Sequence, residues 1–285
     1  MKFFLSGLGN MYDNLDFIKQ AVIMGDKLGF DGVIMPDHYM WGEMRGHQMP
    51  NAYSTLETWV TLTYLAAQTE NIHLGTLVTP IPFRPPGMLA KMLSTLDILS
   101  GGRVVLGVGA GWSQIEFEGY SKWDEPKVRV DKTEEGLRLM LQLWTQDKVN
   151  FKGRYYETKG AVLEPKPVQK PHPKLLFGGV GRRMLVMAGR YADIAFVPPF
   201  FGPENVAKGR EIVMRAAEKA GRADKVAYMG GHMFTNTPYD YNMHVQQIEA
   251  AVEAGDQYYL TALPRGATYL ESMRKFVEEV MPSYH

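Results

Sequence analysis

A histidine at position 38 stands where it could move a proton. His38 follows a short apolar run at residues 32–35, comes directly after Asp37, and precedes Trp41 by three positions. Histidine titrates near neutral pH, which suits a proton donor or acceptor, and the neighbouring aspartate could orient the ring or contact a ligand. A histidine that only caps a loop is the structural alternative, and these residues by themselves leave both open.

Two glycine-rich segments could receive a flat or anionic ligand. Residues 178–183 read GGVGRR and open a predicted helix, so backbone N–H groups, the helix dipole and two arginines all favour an anion. Residues 107–112 read GVGAGW, in which Trp112 replaces the third glycine of a dinucleotide-binding fingerprint. Glycine permits close approach of a ligand to the backbone, and tight turns are the structural alternative for both segments.

Composition excludes several other kinds of site. The chain of 285 residues has no cysteine, which excludes disulfides, thiolate metal sites and thiol nucleophiles. Its seven histidines show no zinc-binding spacing, so no metal is expected. Basic and acidic residues balance at 31 each, which gives no support for a nucleic-acid partner.

The sequence also gives no sign of a membrane partner. No apolar window approaches the length of a membrane span, and Gly7 and Asn10 come too early for a signal peptide. We therefore expect a cytoplasmic protein.

The elements that must position these residues alternate between strand-like and helix-like segments. Each of eight short apolar runs is followed by a segment with apolar residues at helical spacing. The predicted strands lie at residues 2–8, 32–35, 72–78, 104–109, 175–179, 194–197, 226–234 and 257–260. Continuous apolar strands separated by helices are typical of a parallel sheet closed into a (β/α)8 barrel, an α/β TIM barrel, with a doubly wound open sheet as the alternative.

A single domain over residues 1–285 accounts for this pattern, since barrels of about 250 residues are common. Extra segments follow the second strand (37–55) and the fourth (112–127) and precede the fifth (149–173), where VNFKGRYYE predicts a hairpin turning at residues 152–153. Barrel active sites lie at the carboxyl ends of the strands, so His38 and both glycine-rich segments are expected at one mouth.

Long stretches of the chain resemble the bacterial-luciferase-like family of flavin and deazaflavin oxidoreductases. They are GFDGVIMPDH, LGTLVTPIPFRPPGMLAKMLSTLDILSGGRVVLGVGAGW, and RVDKTEEGLRLMLQLWTQDKVNFKGRYYE with AVLEPKPVQKPHPKLLFGGVG. The second stretch is the most specific, and the resemblance weakens after residue 197. It implies a (β/α)8 barrel that binds FMN or coenzyme F420 at its carboxyl face and usually forms a homodimer.

The resemblance also implies roles for individual residues. By similarity to F420-dependent sugar-phosphate and alcohol dehydrogenases, Asp37 would contact the cofactor, His38 would exchange a proton with the substrate, and Trp41 would shape the substrate pocket. A non-prolyl cis peptide bond is implied between Leu77 and Val78. The implied cofactor-binding residues are Asp37, Leu77, Val78, Thr79, Ala110, Gly111, Gly178, Gly179, Gly181 and Arg182.

One departure from the family bears on the substrate. Its sugar-phosphate dehydrogenases carry a catalytic glutamate after the fourth strand, where this chain has Ala110, Gly111 and Trp112, so glucose 6-phosphate is not the expected substrate. Glu116 and Glu118 lie in the following loop, from which either could reach the space of that glutamate, but both are expected to be surface or dimer-contact carboxylates.

The compact chain, and basic residues near the mouth at Arg84, Arg182 and Arg183, favour F420 over FMN. We therefore expect an F420-dependent oxidoreductase that transfers a hydride between the deazaflavin and a small alcohol, carbonyl compound or enone. An FMN-dependent monooxygenase that uses reduced flavin and oxygen is one alternative. A flavin-binding protein without catalytic activity is the other.

Overall fold

Eight parallel strands close into a barrel in the computed structural model, which describes residues 1–9, 14–44, 47–48 and 53–284. In chain order the strands are β1 (Lys2–Leu5), β2 (Gly32–Met35), β3 (Glu43–Met44), β4 (His47–Gln48), β5 (His73–Thr76), β6 (Thr79–Pro80), β7 (Val104–Gly109), β8 (Val149–Lys152), β9 (Glu157–Ala161), β10 (Lys174–Gly178), β11 (Ile194–Phe196), β12 (Ala227–Gly231) and β13 (Tyr258–Thr261). The barrel runs β1, β2, β5, β7, β10, β11, β12, β13, and β13 pairs in parallel with β1. The predicted (β/α)8 barrel is confirmed, because this ring of pairings leaves no open sheet edge.

Helices follow the barrel strands and cover them on the outside. They are α1 (Leu15–Leu28), α2 (Thr58–Ala66), α3 (Pro86–Leu99), α4 (Gln114–Tyr120), α5 (Pro126–Thr145), α6 (Arg182–Tyr191), α7 (Pro203–Lys219), α8 (Tyr241–Glu253) and α9 (Tyr269–Glu279). Local chemistry sets their ends: the side chain of Asn14 accepts a hydrogen bond from the N–H of Phe17 and starts α1, and Gly29 ends it at φ 88°. Within the described residues, no helix is long and apolar enough to cross a membrane.

The core has two layers, because side chains alternate between the two faces of each barrel strand. The barrel interior is filled by Phe4, Ile34, Leu77, Val105, Leu176, Ile194, Phe196, Met229 and Leu260. A larger apolar layer lies between the strands and the helices, with the buried indoles of Trp59 and Trp144 among its members. β5 and β7 approach closely at Gly107, where a Cβ would lie 1.8 Å from the carbonyl oxygen of Thr76.

The three predicted insertions contain short secondary-structure elements. Strands β8 and β9 pair as the predicted antiparallel hairpin, but its turn lies at residues 153–156 and not at 152–153, because Lys152 still pairs with Glu157. The insertion after β7 contains the short helix α4, which the sequence did not predict. The insertion after β2 lies partly outside the described residues and includes the two-residue pair of β3 and β4.

Three predicted strands extended two or three residues beyond the observed carboxyl ends, at residues 2–8, 72–78 and 226–234. The observed strands end at Leu5, Thr76 and Gly231, and Gly231 has φ 85°, which an extended strand cannot continue. The peptide bond between Leu77 and Val78 is cis, as the resemblance implied.

Candidate active site

His38 lies just beyond the carboxyl end of β2, in the segment that crosses the barrel mouth. The ring of Trp41 stacks on it with centroids 3.8 Å apart and planes inclined by 25°. Trp112, beyond the end of β7, meets it edge to face at 5.6 Å. The His38 side chain keeps only 12% of its surface exposed, so the two indoles shield the imidazole while leaving part of it accessible.

A buried carboxylate holds this histidine from the other side. Glu116 on α4 is fully buried, and its Oε2 lies 2.6 Å from Nδ1 of His38. Its Oε1 accepts hydrogen bonds from the backbone N–H groups of Tyr39 at 2.8 Å and Met40 at 3.3 Å. The expectation that Glu116 is a surface or dimer-contact carboxylate is therefore wrong. It is buried because α4 turns inward over the mouth, where three polar atoms satisfy the carboxyl group.

Glu118, by contrast, is exposed on the same helix. Its carboxylate accepts a hydrogen bond from the side-chain amide of Gln114 at 2.7 Å. Glu116 and Glu118 carried the same expectation from the sequence, but their surroundings differ because only Glu116 faces the barrel mouth.

Asp37 faces away from His38 and forms an ion pair with Arg84. Arg84 donates to both carboxylate oxygens of Asp37, at 2.8 Å and 2.9 Å, and Thr79 donates to Oδ2 at 2.8 Å. Arg84 also pairs with Glu57, and its guanidinium lies 4.9 Å from the ring centre of Tyr39. Burial would lower the pKa of Arg84, but the charge of Asp37 outweighs it and raises that pKa above its usual value.

This ion pair corrects one expectation about the cofactor. Arg84 was expected to be a cation available to an anionic cofactor tail, and it is bonded instead to Asp37 and Glu57. Thr79 is likewise committed, because its hydroxyl donates to Asp37 and accepts from the indole N–H of Trp59 at 3.0 Å. The side chains of Asp37 and Thr79 are therefore bonded within the protein, and a cofactor role for either stays a prediction.

Glycines form the edge of the mouth on both sides of the Leu77–Val78 bond. A Cβ on Gly178 would lie 2.4 Å from the Leu77 side chain, and a Cβ on Gly109 would lie 2.3 Å from that of Val78. Gly111 has φ 77° just beyond β7, next to Ala110. The structure thus brings the predicted residues of β5, β7 and β10 to one edge, where bare backbone can meet a ligand.

The start of α6 supplies the polar part of this edge. Gly181 precedes the helix and makes no side-chain hydrogen bond to it, so the first backbone N–H groups are free of a side-chain cap. Arg183 is bonded to Asp131 at 2.5 Å, whereas exposed Arg182 has no ion pair within the described residues. Gly178 and Gly179 precede this helix in the chain. Arg182 and the positive end of the helix dipole could together bind an anion here.

Two further polar side chains at the mouth are those of Trp41 and His232. The indole nitrogen of Trp41 is buried without an acceptor among the described residues, so an acceptor on a ligand would satisfy it. His232 follows β12, and burial lowers the pKa of its imidazole. No pattern in the sequence singles out His232. No group of three or more metal-binding side chains occurs within the described ranges.

These features fit a flat ligand with an anionic group. The glycines allow a ring to approach the backbone, the start of α6 favours negative charge, and the Trp41 N–H can donate. His38 provides the one imidazole with a carboxylate partner at this mouth among the described residues.

Comparison with known proteins agrees with the fold. A model of a family described as luciferase-like monooxygenase matches residues 3–269. An FMNH(2)-dependent dimethylsulfone monooxygenase of Pseudomonas putida is 31% identical over 188 residues, 64% of this chain and 48% of that protein. An F420-dependent glucose-6-phosphate dehydrogenase of Nakamurella multipartita is 36% identical over 178 residues, 62% of this chain and 50% of that protein. The chain spans about half the length of these curated relatives.

Solved structures share the whole architecture. An F420-dependent secondary alcohol dehydrogenase superposes with a TM-score of 0.82 at 22% identity, over 100% of both chains. A monooxygenase from Streptomyces bottropensis superposes with a TM-score of 0.76 at 20% identity, again over 100% of both chains. At these identities the likeness concerns the fold.

Proposed function

Because this chain belongs to the luciferase-like monooxygenase family, we propose that it is a coenzyme F420-dependent oxidoreductase acting on a small organic substrate. The observation that carries the proposal is His38, held between Glu116 and Trp41 at the same barrel edge as the glycines. Two F420-dependent glucose-6-phosphate dehydrogenases, 34% identical over 173 residues and 36% identical over 178 residues, support the choice of cofactor.

Each part of the mouth has a distinct task in this proposal. Bound F420 supplies a deazaflavin ring that gives or takes a hydride. His38 exchanges a proton with the hydroxyl or carbonyl oxygen of an alcohol, carbonyl compound or enone, and Trp41 covers its ring against water. Arg182 and the first turn of α6 bind an anionic group of the cofactor.

In this proposal, the glycine-rich edge of the mouth provides the backbone that would lie against the cofactor ring. Leu77 and Val78 lie under the mouth between Gly109 and Gly178, where added side chains would collide with them. Ala110 and Gly111, with Gly178, Gly179 and Gly181, are the residues along which the cofactor would lie. Asp37 and Thr79 support this edge from inside through the pair with Arg84.

An FMN-dependent monooxygenase is the second candidate. It is favoured by the 31% identity to an FMNH(2)-dependent dimethylsulfone monooxygenase. Such an enzyme would consume oxygen with reduced FMN from a partner reductase. The two candidates therefore differ first in which cofactor binds.

The test is a titration of cofactor-stripped protein with F420 and, separately, with FMN, followed by tryptophan fluorescence. Two of the five tryptophans, Trp41 and Trp112, lie at the mouth, so a ring bound there should quench them. Tight F420 binding with weak FMN binding supports the proposal and calls for a screen of alcohols, sugar phosphates and enones. A preference for FMN supports the monooxygenase, and binding of neither cofactor refutes both.

The anion-binding role of Arg182 has a matched control on the same helix. Arg182→Gln should weaken F420 binding about tenfold, equivalent to about 1.4 kcal/mol, and the loss should shrink at high salt. Arg190→Gln removes a cation from the other end of α6, where Arg190 pairs with Glu134, and should leave binding unchanged. Equal affinities for all three proteins would remove Arg182 from the cofactor site.

A homodimer is part of the same proposal. Val60 on α2 and Leu99 at the end of α3 are each 65% exposed, and Met88 on α3 is 60% exposed. Val60 and Leu99 line one groove between α2 and α3, and a contiguous exposed apolar surface is typical of a protein interface. Sedimentation should show a dimer that becomes monomeric in Val60→Glu, whereas Val252→Glu on α8 should leave the mass unchanged. A monomeric wild-type protein would refute the proposal.

A further inference from the structure

We propose that Glu116 is a positioning residue that determines which nitrogen of His38 carries the proton. The inference deepens the proposed function and rests on its assignment of His38 as the proton-exchanging group. Its basis is the contact of 2.6 Å between Oε2 of Glu116 and Nδ1 of His38, made by a carboxyl group that is fully buried.

The bonding around Glu116 fixes the direction of this contact. Oε1 faces the backbone N–H groups of Tyr39 and Met40, which can only donate. A carboxylate can only accept hydrogen bonds, so Nδ1 of His38 must donate to Oε2. Neutral His38 then carries its proton on Nδ1 and has a bare Nε2.

The bare nitrogen is the one that can serve a substrate. Nε2 of His38 has no hydrogen-bond partner within the described part of the chain, while Nδ1 is committed to Glu116. An alcohol that loses a hydride must also lose its hydroxyl proton, and a bare Nε2 can accept that proton. In the reverse direction the imidazolium, stabilised by the carboxylate, returns the proton through the same nitrogen.

The other charged side chains around this segment do not compete with Glu116. Arg84 pairs with Asp37 and Glu57 on the opposite side of residues 37–39. In the structure as described, Glu116 is the charged group that contacts the imidazole. The tautomer of His38 is therefore assigned to Glu116 alone.

Glu116→Gln makes the inference testable with little change in shape. Its amide oxygen must face the N–H groups of Tyr39 and Met40, because an NH2 group there would oppose two donors. The NH2 group then faces Nδ1 of His38 and donates to it, so the imidazole proton must move to Nε2. The substitution is expected to reverse the tautomer without removing the hydrogen bonds of the segment.

The primary measurement is 15N NMR of the histidine rings in cofactor-free protein, at a pH where the ring is neutral. His38→Gln assigns the signals by their disappearance. We expect a protonated Nδ1 and a bare Nε2 in the wild type, and the opposite in Glu116→Gln. Glu118→Gln, on the same helix but exposed, should match the wild type.

Turnover gives a second readout once the cofactor and a substrate are known. Glu116→Gln should lower the rate of alcohol oxidation about 10²- to 10⁴-fold, the range of general acid–base catalysis, and change KM little. The acidic limb of its pH–rate profile should also move, which a loss of structural support alone would not cause.

The outcomes separate the inference from the proposed function. A wild-type His38 protonated on Nε2, or a tautomer that does not change in Glu116→Gln, overturns the inference even if the protein binds F420. The expected tautomers in a protein that binds neither F420 nor FMN support the role of Glu116 and refute the proposed reaction. The wild-type spectrum decides the first point even if the variant fails to fold.

Discussion

The pair of Asp37 and Arg84 allows a direct test of how the mouth is held together. Asp37→Asn would leave Arg84, whose side chain is 9% exposed, with only Glu57, whose side chain is 32% exposed. Removing one partner of a buried ion pair costs about 3 to 5 kcal/mol, because the remaining charge loses its compensation. Since Glu57 still compensates in part, we expect a loss of about 3 kcal/mol.

The assay is urea unfolding, followed by circular dichroism, of a double-mutant cycle with Arg84→Met. Each single variant leaves a buried charge behind, whereas the double variant removes both charges. The double variant should therefore lose at least about 2 kcal/mol less than the sum of the two singles. Asp131→Asn is the control, because Asp131 pairs with Arg183 at the surface and such pairs contribute at most about 1 kcal/mol.

The result also decides between two roles of Asp37. A loss below about 1 kcal/mol with additive singles would refute the reasoning, since it would mean that the buried pair contributes little. If the same variant then weakened cofactor binding, Asp37 would act on the ligand, as the family resemblance implied. A large, non-additive loss in the free energy of unfolding would show that Asp37 chiefly stabilises the segment that carries His38.

Two further predictions concern stability. Burial lowers the pKa of His244 to about 4, against about 6.5 in an unfolded chain, so the unfolded state binds the extra proton and stability falls as the pH drops between these values. Over this pH range, the free energy of unfolding of His244→Leu should fall by about 3 kcal/mol less than that of the wild type, as measured by urea unfolding. A difference between the two proteins that does not vary with pH would contradict this. Gly107→Ala should cost more than about 3 kcal/mol, because its Cβ would lie 1.8 Å from the Thr76 carbonyl oxygen. Gly87→Ala in α3, with its nearest atom at 3.8 Å, should be neutral or stabilise by up to about 1 kcal/mol, and equal melting temperatures for the two variants would refute the packing argument.

The barrel could be predicted because each of its strands is recognisable from its own short stretch of sequence. A parallel strand that is covered on both faces consists of consecutive apolar residues, and residues 104–109 form such a run in the sequence. The strand ends were less predictable, because the apolar residues Met233 and Phe234 are compatible with a longer strand. In the structure, the positive φ at Gly231 ends β12 first.

The place of His38 and Trp41 at the barrel mouth could be predicted from the sequence, because both residues follow one strand. Their chemical roles stay predictions. The role of Glu116 depends on which face of α4 turns inward, and there the pattern misleads. Ile115 is 38% exposed while Glu116 is fully buried, the reverse of what hydrophobicity predicts. The bonds of Arg84 to Asp37 and Glu57 likewise depend on contacts between separate loops.

The bonds of Glu116 also limit how this mouth can be redesigned. Residues 38–40 follow β2 and α4 follows β7, yet one carboxyl group ties them together. A chimera that took residues 113–127 from another barrel would leave two backbone N–H groups and an imidazole without their acceptor. The smallest transplantable module is therefore the two segments together, because a library that varies residues 113–127 without keeping Glu116 would remove the acceptor of residues 38–40.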